Sequence, residues 1–320
     1  MTTNCLRGKK VLVLGASGQV GRELLKQLEI QDCKVTAIRL SKWTKKNDST
    51  SNFNYLSLDI NTQDSSKLKK LINDHQYIFH LAGDTEVQSI KDKERDYFLS
   101  WIIPLQSMLD SMVKSEKVLV FASSCSVYGN YPKLPVDENT IENPLTSYDL
   151  AKVVCDNFIR YYRDKHGVNC SSLRFSNIYG PSAISESSSR KVINKILDKI
   201  SKEKKIKLVQ DGKFLRNYIH VYDCAAMLIY AAKEIKSSGS VLLACSNENY
   251  MFKEVISKLV EYYQDKFNKK IEIKYGKKER FITDLRQFSG MPSYIFQKDF
   301  IFKYDLDKGL KELVNEFKEY

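Results

Sequence analysis

Val11, Leu12, Val13 and Leu14 form an unbroken apolar run between Lys9-Lys10 and Gly15. A run of this kind with no polar alternation predicts a strand buried on both faces, as in a parallel sheet covered by helices. Beyond the turn GASGQVG at 15–21, Val20, Leu24, Leu25 and Leu28 fall on one face of a 3.6-residue period and predict a helix. Further strands are predicted at 34–39, 55–60, 77–83 and 117–122, with helices at 64–73 and 95–114 between them. Alternating strands and helices with short connections predict an α/β fold built on a Rossmann-type doubly wound parallel sheet. From about residue 182 the pattern changes. A serine-rich turn (185–189), a helix at 191–202 and the run 206–209 lead into a mixture of short elements. The expected division is a dinucleotide-binding domain over 1–175 and a smaller, mixed α/β substrate domain over 176–320, with some segments returning to the first.

The turn at 15–21 adds chemistry to this pattern. Strand, glycine turn and helix aim free backbone N–H groups and the positive end of a helix dipole at a phosphate. The glycines are needed where a Cβ would block the turn or the approach of a pyrophosphate. At the end of the second strand, where an Asp or Glu commonly binds the ribose diol of NAD, the chain carries Arg39 and then Lys42. A guanidinium suits a 2′-phosphate, so NADP(H) is the expected cofactor and NAD(H) the alternative, with an ordinary surface arginine as the plain reading.

A second constellation follows the fifth strand. Ser123-Ser124-Cys125-Ser126 ends it, and Tyr148 and Lys152 lie four residues apart on a predicted helix face. A free phenol has a pKa of about 10, and an adjacent ammonium is expected to lower it toward working pH. Ser124 could hydrogen-bond the same substrate oxygen.

Composition excludes several classes. The 320 residues are 42% hydrophobic and 28% charged, as in ordinary globular chains. The net charge of +12 favours anionic partners, although the lysines are scattered and no basic run suggests nucleic-acid binding. Seven cysteines without a C-x-x-C pair read as reduced thiols, and four histidines without H-x-x-x-H give no support to a metal site. With no apolar signal segment and no run approaching a membrane span, a cytoplasmic location is expected.

Taken together, GASGQVG at 15–21, Asp59-Ile60, His80-Leu81-Ala82-Gly83, SSCSVYG at 123–129, YDLAK at 148–152, LRFSNIYGP at 173–181 and RNYIHVYD at 216–223 resemble an extended short-chain dehydrogenase/reductase of the nucleotide-sugar epimerase/dehydratase group. The resemblance implies a Ser124, Tyr148 and Lys152 triad, with Lys152 also on the nicotinamide ribose. It implies cofactor contacts from Gly15, Ser17, Gly18, Gln19, Val20, Gly21, Arg39, Asp59, Ile60, Leu81, Ala82, Gly83, Tyr148 and Lys152. Substrate contacts are implied for Thr85, Ser124, Ser126, Asn177 and Arg216, the last on the nucleotide diphosphate. A homodimer formed through the helices near 95–113 and 148–164 is also implied. A second phosphate-binding arginine, for which Arg280 and Arg286 are the options, has no clear place.

The resemblance narrows the reaction too. Cys125 and Ser126 stand where 4,6-dehydratases carry Asp-Glu, so elimination lacks its acid and base. GDP-fucose synthases carry a cysteine two places beyond the serine. Cys125 is one place beyond, pointing the other way on a strand, and reads as a small buried residue. What remains is chemistry at C4 of the sugar. Arg39 tips the expectation toward an NADPH-dependent 4-ketoreductase, with a 4-epimerase holding NAD as the alternative and the reverse, dehydrogenase direction using the same groups. A non-catalytic NADP(H) sensor is the reading from another class, and the presence of both Tyr148 and Lys152 weighs against it.

Overall fold

The computed structural model describes residues 6–40, 53–61, 66–84, 94–130, 133–181, 192–203, 205–208, 212–276 and 287–318. The chain runs through β1 (Lys10–Leu14), α1 (Gln19–Ile30), β2 (Lys34–Arg39), β3 (Asn54–Ser57), α2 (Ser66–Asp74), β4 (Tyr77–His80), α3 (Glu94–Met112) and β5 (Val118–Ser124). A 3-10 turn (Cys125–Tyr128) leads on to α4 (Ser147–His166), β6 (Asn169–Phe175), β7 (Asn177–Tyr179), α5 (Val192–Lys202) and β8 (Lys205–Leu208). The rest is β9 (Leu215–His220), α6 (Val221–Lys233), β10 (Val241–Ala244), β11 (Asn249–Met251), α7 (Phe252–Phe267), β12 (Glu272–Tyr275), α8 (Tyr294–Asp299) and α9 (Leu306–Glu316).

Seven strands form one sheet in the order β10-β6-β5-β4-β1-β2-β3. β1 lies between β2 and β4 and is parallel to both, with Leu14 opposite Ile38 on one side and His80 on the other. Its apolar run is therefore buried from Val11 to Leu14, as a central strand of a doubly wound sheet requires. The carboxyl ends of β1, β2, β4 and β5 come to one edge of the sheet, the edge at which such folds bind ligands.

Two compact units divide the chain: residues 1–129, 141–174 and 225–243 form one, and 130–140, 175–224 and 244–320 the other. In the first, Leu12, Leu14, Leu119 and Phe121 of the sheet pack with Trp101, Leu105 and Met108 of α3 and Ala151, Cys155 and Ile159 of α4. In the second, β11-β9-β7 forms a three-stranded sheet and β12-β8 a parallel pair. Its core joins Ile193 and Leu197 of α5, Ile256 and Leu259 of α7, and Leu310 and Leu313 of α9.

The helix that carries Tyr148 has both ends specified locally. Thr146 accepts from the Asp149 backbone N–H, and the buried Asp149 carboxylate accepts from the backbone of Leu145 and Thr146, a capping box. At the other end Gly167 takes the left-handed conformation, φ 65°, that stops a helix without a Cβ penalty. Among the described residues no helix is long and apolar enough to cross a membrane, and no group of three His, Cys, Asp or Glu side chains could hold a metal ion.

Candidate active site

The turn after β1 is held by the backbone. The N–H groups of Gly15 and Ala16 both donate to the Ile38 carbonyl, at 3.1 and 3.0 Å, and that of Gly18 donates to Gly15 at 3.1 Å. Its glycines answer different needs. Gly15 has φ +83°, and a Cβ there would lie 2.6 Å from the Ala82 nitrogen. At Gly21 a Cβ would lie 2.4 Å from the Gly15 carbonyl oxygen, so α1 could not sit down on the turn. Gly18 is different. Its φ is −67°, a Cβ would meet only the Gly15 oxygen at an ordinary 3.4 Å, and the residue is exposed. As the N-cap of α1 it has no side chain to occupy the first N–H groups. The protein's own packing therefore requires Gly15 and Gly21, while Gly18 leaves the helix end open to a phosphate, with Ser17, Gln19 and Val20 half-buried around it. A dinucleotide pyrophosphate suits this cradle.

Neighbouring strand ends continue the cleft wall. Arg39 ends β2, half-buried and opposite Ser57 of β3. Asp59 is exposed and accepts from the Asn61 N–H at 2.9 Å, while Ile60 packs on the core. The Leu81 N–H donates to Leu14 O at 2.9 Å, and Ala82 follows against Gly15. Gly83 has φ +150°, and a Cβ there would strike the Trp101 ring at 2.0 Å. Thr85, Arg280 and Arg286 lie outside the described residues.

The hydroxyl-rich turn corrects one expectation. β5 ends at Ser124, and Cys125 opens the 3-10 turn, so strand alternation does not decide where Cys125 points. It is buried all the same and takes part in no disulfide. Ser124 caps that turn: its Oγ accepts the Ser126 N–H at 3.2 Å and lies 2.9 Å from the Ser126 hydroxyl. Either hydroxyl can donate in that pair, and with Ser126 as the donor the Ser124 proton is left for an oxygen in front of it.

That oxygen is the phenol of Tyr148, on which the Ser124 hydroxyl acts. The Tyr148 residue keeps part of its surface exposed, but its hydroxyl end is enclosed by protein. Burial pushes the phenol above its ordinary value of 10, and the Ser124 hydroxyl opposes that rise. The lowered phenol expected from the sequence is thus not what the protein shows. Lys152, one turn on and 2% exposed, donates to the Ala122 carbonyl at 2.6 Å. Its ammonium lies 3.7 Å from the Trp101 ring centroid, 4.4 Å from Phe121 and 5.7 Å from the Tyr148 ring. Beside them His80, fully buried against Phe121, is pushed down to about 3 by burial and then by the Lys152 charge, so it stays neutral.

A charged network not anticipated from the sequence braces this pair. Arg174 of β6 is 0% exposed. Its Nε donates to Asp156 of α4 at 2.8 Å, one Nη to the Tyr128 hydroxyl at 3.0 Å and the other to Glu142. Arg160 also donates to Glu142 at 2.8 Å, and Ser172 to Asp156 at 2.5 Å. Burial works to raise Glu142, but the Arg174 and Arg160 guanidiniums outweigh it and hold the carboxyl at about 2. Two carboxylates thus balance two guanidiniums, which a buried charge requires. The turn after Ser124 is thereby joined to the segment and helix that carry Tyr148. Arg174 stands in LRFSNIYGP, but nothing in that motif's spacing shows that the arginine points inward.

In the second unit, Asn177 of β7 donates to the Asn217 carbonyl at 3.0 Å. On the adjoining β9, Arg216 pairs in register with Tyr250 and lies 4.7 Å from the Phe214 ring. Phe214 in turn stacks on Phe252, which gives the guanidinium an aromatic floor.

Residues 11–244 match the model of the NAD dependent epimerase/dehydratase family. A UDP-glucose 4-epimerase of Lactobacillus helveticus is 26% identical over 247 residues, covering 72% of this chain and 74% of the relative. A UDP-N-acetyl-alpha-D-glucosaminuronate decarboxylase of Bacillus cytotoxicus is 24% identical over 253 residues, 77% and 78% of the two chains. Among solved structures, a UDP-N-acetylglucosamine 4-epimerase from Methanobrevibacter ruminantium, in complex with UDP-N-acetylmuramic acid, superposes with a TM-score of 0.82 at 25% identity, covering 97% of this chain and 98% of its own. The chain belongs to the NAD dependent epimerase/dehydratase family, a family of nicotinamide-dependent enzymes, and has their doubly wound fold.

Proposed function

We propose that this family member oxidises and re-reduces C4 of a nucleotide-activated sugar, as a 4-epimerase. The observation that carries the reading is the placement of the Tyr148 phenol, with the Lys152 ammonium 5.7 Å from its ring, beside the Ser124 hydroxyl at the end of β5, the same sheet edge as the open glycine turn. The 4-epimerases among its relatives support the same reaction, and the uridine diphosphate of those relatives makes UDP-sugars the first substrates to test.

When bound, the nicotinamide ring supplies the acceptor and donor of hydride. Tyr148, as phenolate, takes the proton of the C4 hydroxyl while that carbon gives up its hydrogen with its electron pair, leaving a 4-keto sugar. Ser124 donates a hydrogen bond to the same oxygen in both directions, with Ser126 orienting it. Burial disfavours the phenolate and the Ser124 hydroxyl opposes that; in this reading the Lys152 charge adds to the offset. For the epimer to form, Tyr148 would give that proton back to the C4 oxygen as the keto group is reduced from its other face. Asn177 contacts the substrate in this reading, and Arg216 holds its diphosphate.

One observation favours a second reading. Arg39 stands where a carboxylate would bind the ribose diol of NAD. An arginine there suits NADP(H) and hence a 4-ketoreductase, which consumes its cofactor. Mass spectrometry of the nucleotide retained on purification separates the two. Retained NAD, together with formation of the C4 epimer from UDP-glucose or UDP-N-acetylglucosamine seen by NMR, is the expected result. Exchangeable NADP with no epimer formed would overturn the epimerase in favour of reduction.

A further inference from the structure

Trp101 takes part in nothing assigned so far, yet its ring meets three parts of the site. It projects from the middle of α3 and is buried. Its face lies under the Lys152 ammonium at 3.7 Å. Tyr148 meets it edge-on, with ring centroids 5.8 Å apart at 73°. The far edge of its six-membered ring abuts Gly83, where any Cβ would intrude to 2.0 Å. One turn earlier, Tyr97 donates to the Asp84 carbonyl at 2.8 Å and ties α3 to the segment just after Gly83. A chain-long apolar layer would need only a hydrophobic residue here. The indole adds a negative face under a desolvated cation, a contact worth most where water is excluded.

We propose that Trp101 is a positioning residue: its π face holds the Lys152 ammonium and its ring braces the Tyr148 phenol against the cofactor-cleft wall at Gly83. The lysine has a flexible stem of four methylenes between helix and charge, and without a fixed seat its distance from the phenol would wander. The Ala122 carbonyl and the indole face fix it from two sides. The field at the phenol then depends on the π density at position 101. Other groups facing the pair are Ser124 of β5, Cys125 of the 3-10 turn, His80 of β4, Tyr97 of α3, and Asp149 and Cys155 of α4. Burial first, and then Tyr97, Asp149 and Cys125, act to raise the phenol, and Ser124 opposes them; in this proposal the seated ammonium is the second group that does so.

The inference rests on the reading of Tyr148 and Lys152 given above, and its test has one arm that needs no turnover. The other tryptophan of the chain, Trp43, is replaced by Phe, which leaves Trp101 as the sole indole. In this protein without nucleotide, Lys152→Met is expected to shift the Trp101 emission and lifetime, because it removes a charge from the ring face. In the second arm, 5-fluoro-, difluoro- and trifluorotryptophan are incorporated at 101, which weakens the π face without changing its shape. The acid limb of the pH profile of kcat is expected to move up and the alkaline limb down, with turnover below the optimum falling about tenfold across the series and KM unchanged. A core residue of no further role would leave both limbs in place. Emission unchanged by Lys152→Met, or a pH profile unmoved by fluorination, overturns the proposal. Full turnover in Tyr148→Phe would overturn the reading beneath it instead, and if no nucleotide sugar is turned over, the emission arm decides the contact alone.

Discussion

Two turns leave the same edge of one sheet, after β1 and after β5, and they are built in opposite ways. The first is defined by side chains that are missing: Gly15 and Gly21 have no room for a Cβ, and Gly18 keeps the end of α1 uncovered. The second is defined by side chains that are present and paired. Ser124 and Ser126 share hydrogen bonds, Tyr128 is held by Arg174, and a capping box starts the helix that follows. A turn made of absences can recognise a backbone-like anion but cannot move a proton. A turn made of hydroxyls can, and it then needs bracing. The Arg174 network, rather than the glycines, is the expensive part of this site.

The contrast can be broken at either turn. The largest expected effect is at the second. Tyr148→Phe removes the proton carrier and should lower kcat by about 10²–10⁴-fold, with nucleotide binding by calorimetry unchanged. Next is the first turn, where two glycines should behave differently. Gly21→Ala forces a methyl into the Gly15 carbonyl and should cost about 3 kcal/mol in denaturant unfolding. Gly18→Ala should stay within about 0.5 kcal/mol of the parent while weakening nucleotide binding. Equal losses of stability would show that no glycine in the turn is reserved for a ligand.

A smaller effect sharpens the account of the brace. Glu142 has its folded pKa depressed to about 2 from an ordinary 4.5. Its contribution is therefore complete above pH 4.5 and is lost as pH falls toward 2. Glu142→Gln should flatten the loss of stability over that window, by roughly 2 kcal/mol, in urea midpoints measured against pH. Smallest of all, Arg39→Glu should shift the ratio of NADP to NAD affinity by about tenfold toward NAD, read by isothermal titration.

How far the site was legible differs along the same line. An apolar run and a glycine spacing are visible in sequence because absence and periodicity are visible, and β1, the turn and α1 stand where they predict. The position of Tyr148 and Lys152 on one helix was legible for the same reason. β6 was not. Its residues Ser171, Ser172 and Arg174 are polar, yet all are fully buried, because Asp156, Glu142 and Tyr128 satisfy Ser172 and Arg174, and Arg163, Ser238 and Gly239 satisfy Ser171, from other elements. Burial of that kind depends on partners distant in the chain and leaves no local period. The ammonium of Lys152 is a similar case. Spacing places it near the phenol, but only tertiary packing seats it on Trp101, a residue that reads in sequence as one more apolar position of α3. Burial likewise decided the direction of the Tyr148 shift, against the local expectation.

The Arg174 contacts also bear on the order in which the molecule is made. They span 18, 32 and 46 residues of chain, to Asp156, Glu142 and Tyr128. A nascent polypeptide that has emerged only through the YDLAK helix already carries the serine, the tyrosine and the lysine, but lacks the guanidinium that joins their supports. Non-local contacts of this length form late, since the loops between them must close first. On the ribosome, every contact of the glycine turn, to Ile38 and Ala82, is available once the fourth strand has emerged, whereas the brace of the proton-handling half awaits synthesis of the sixth strand.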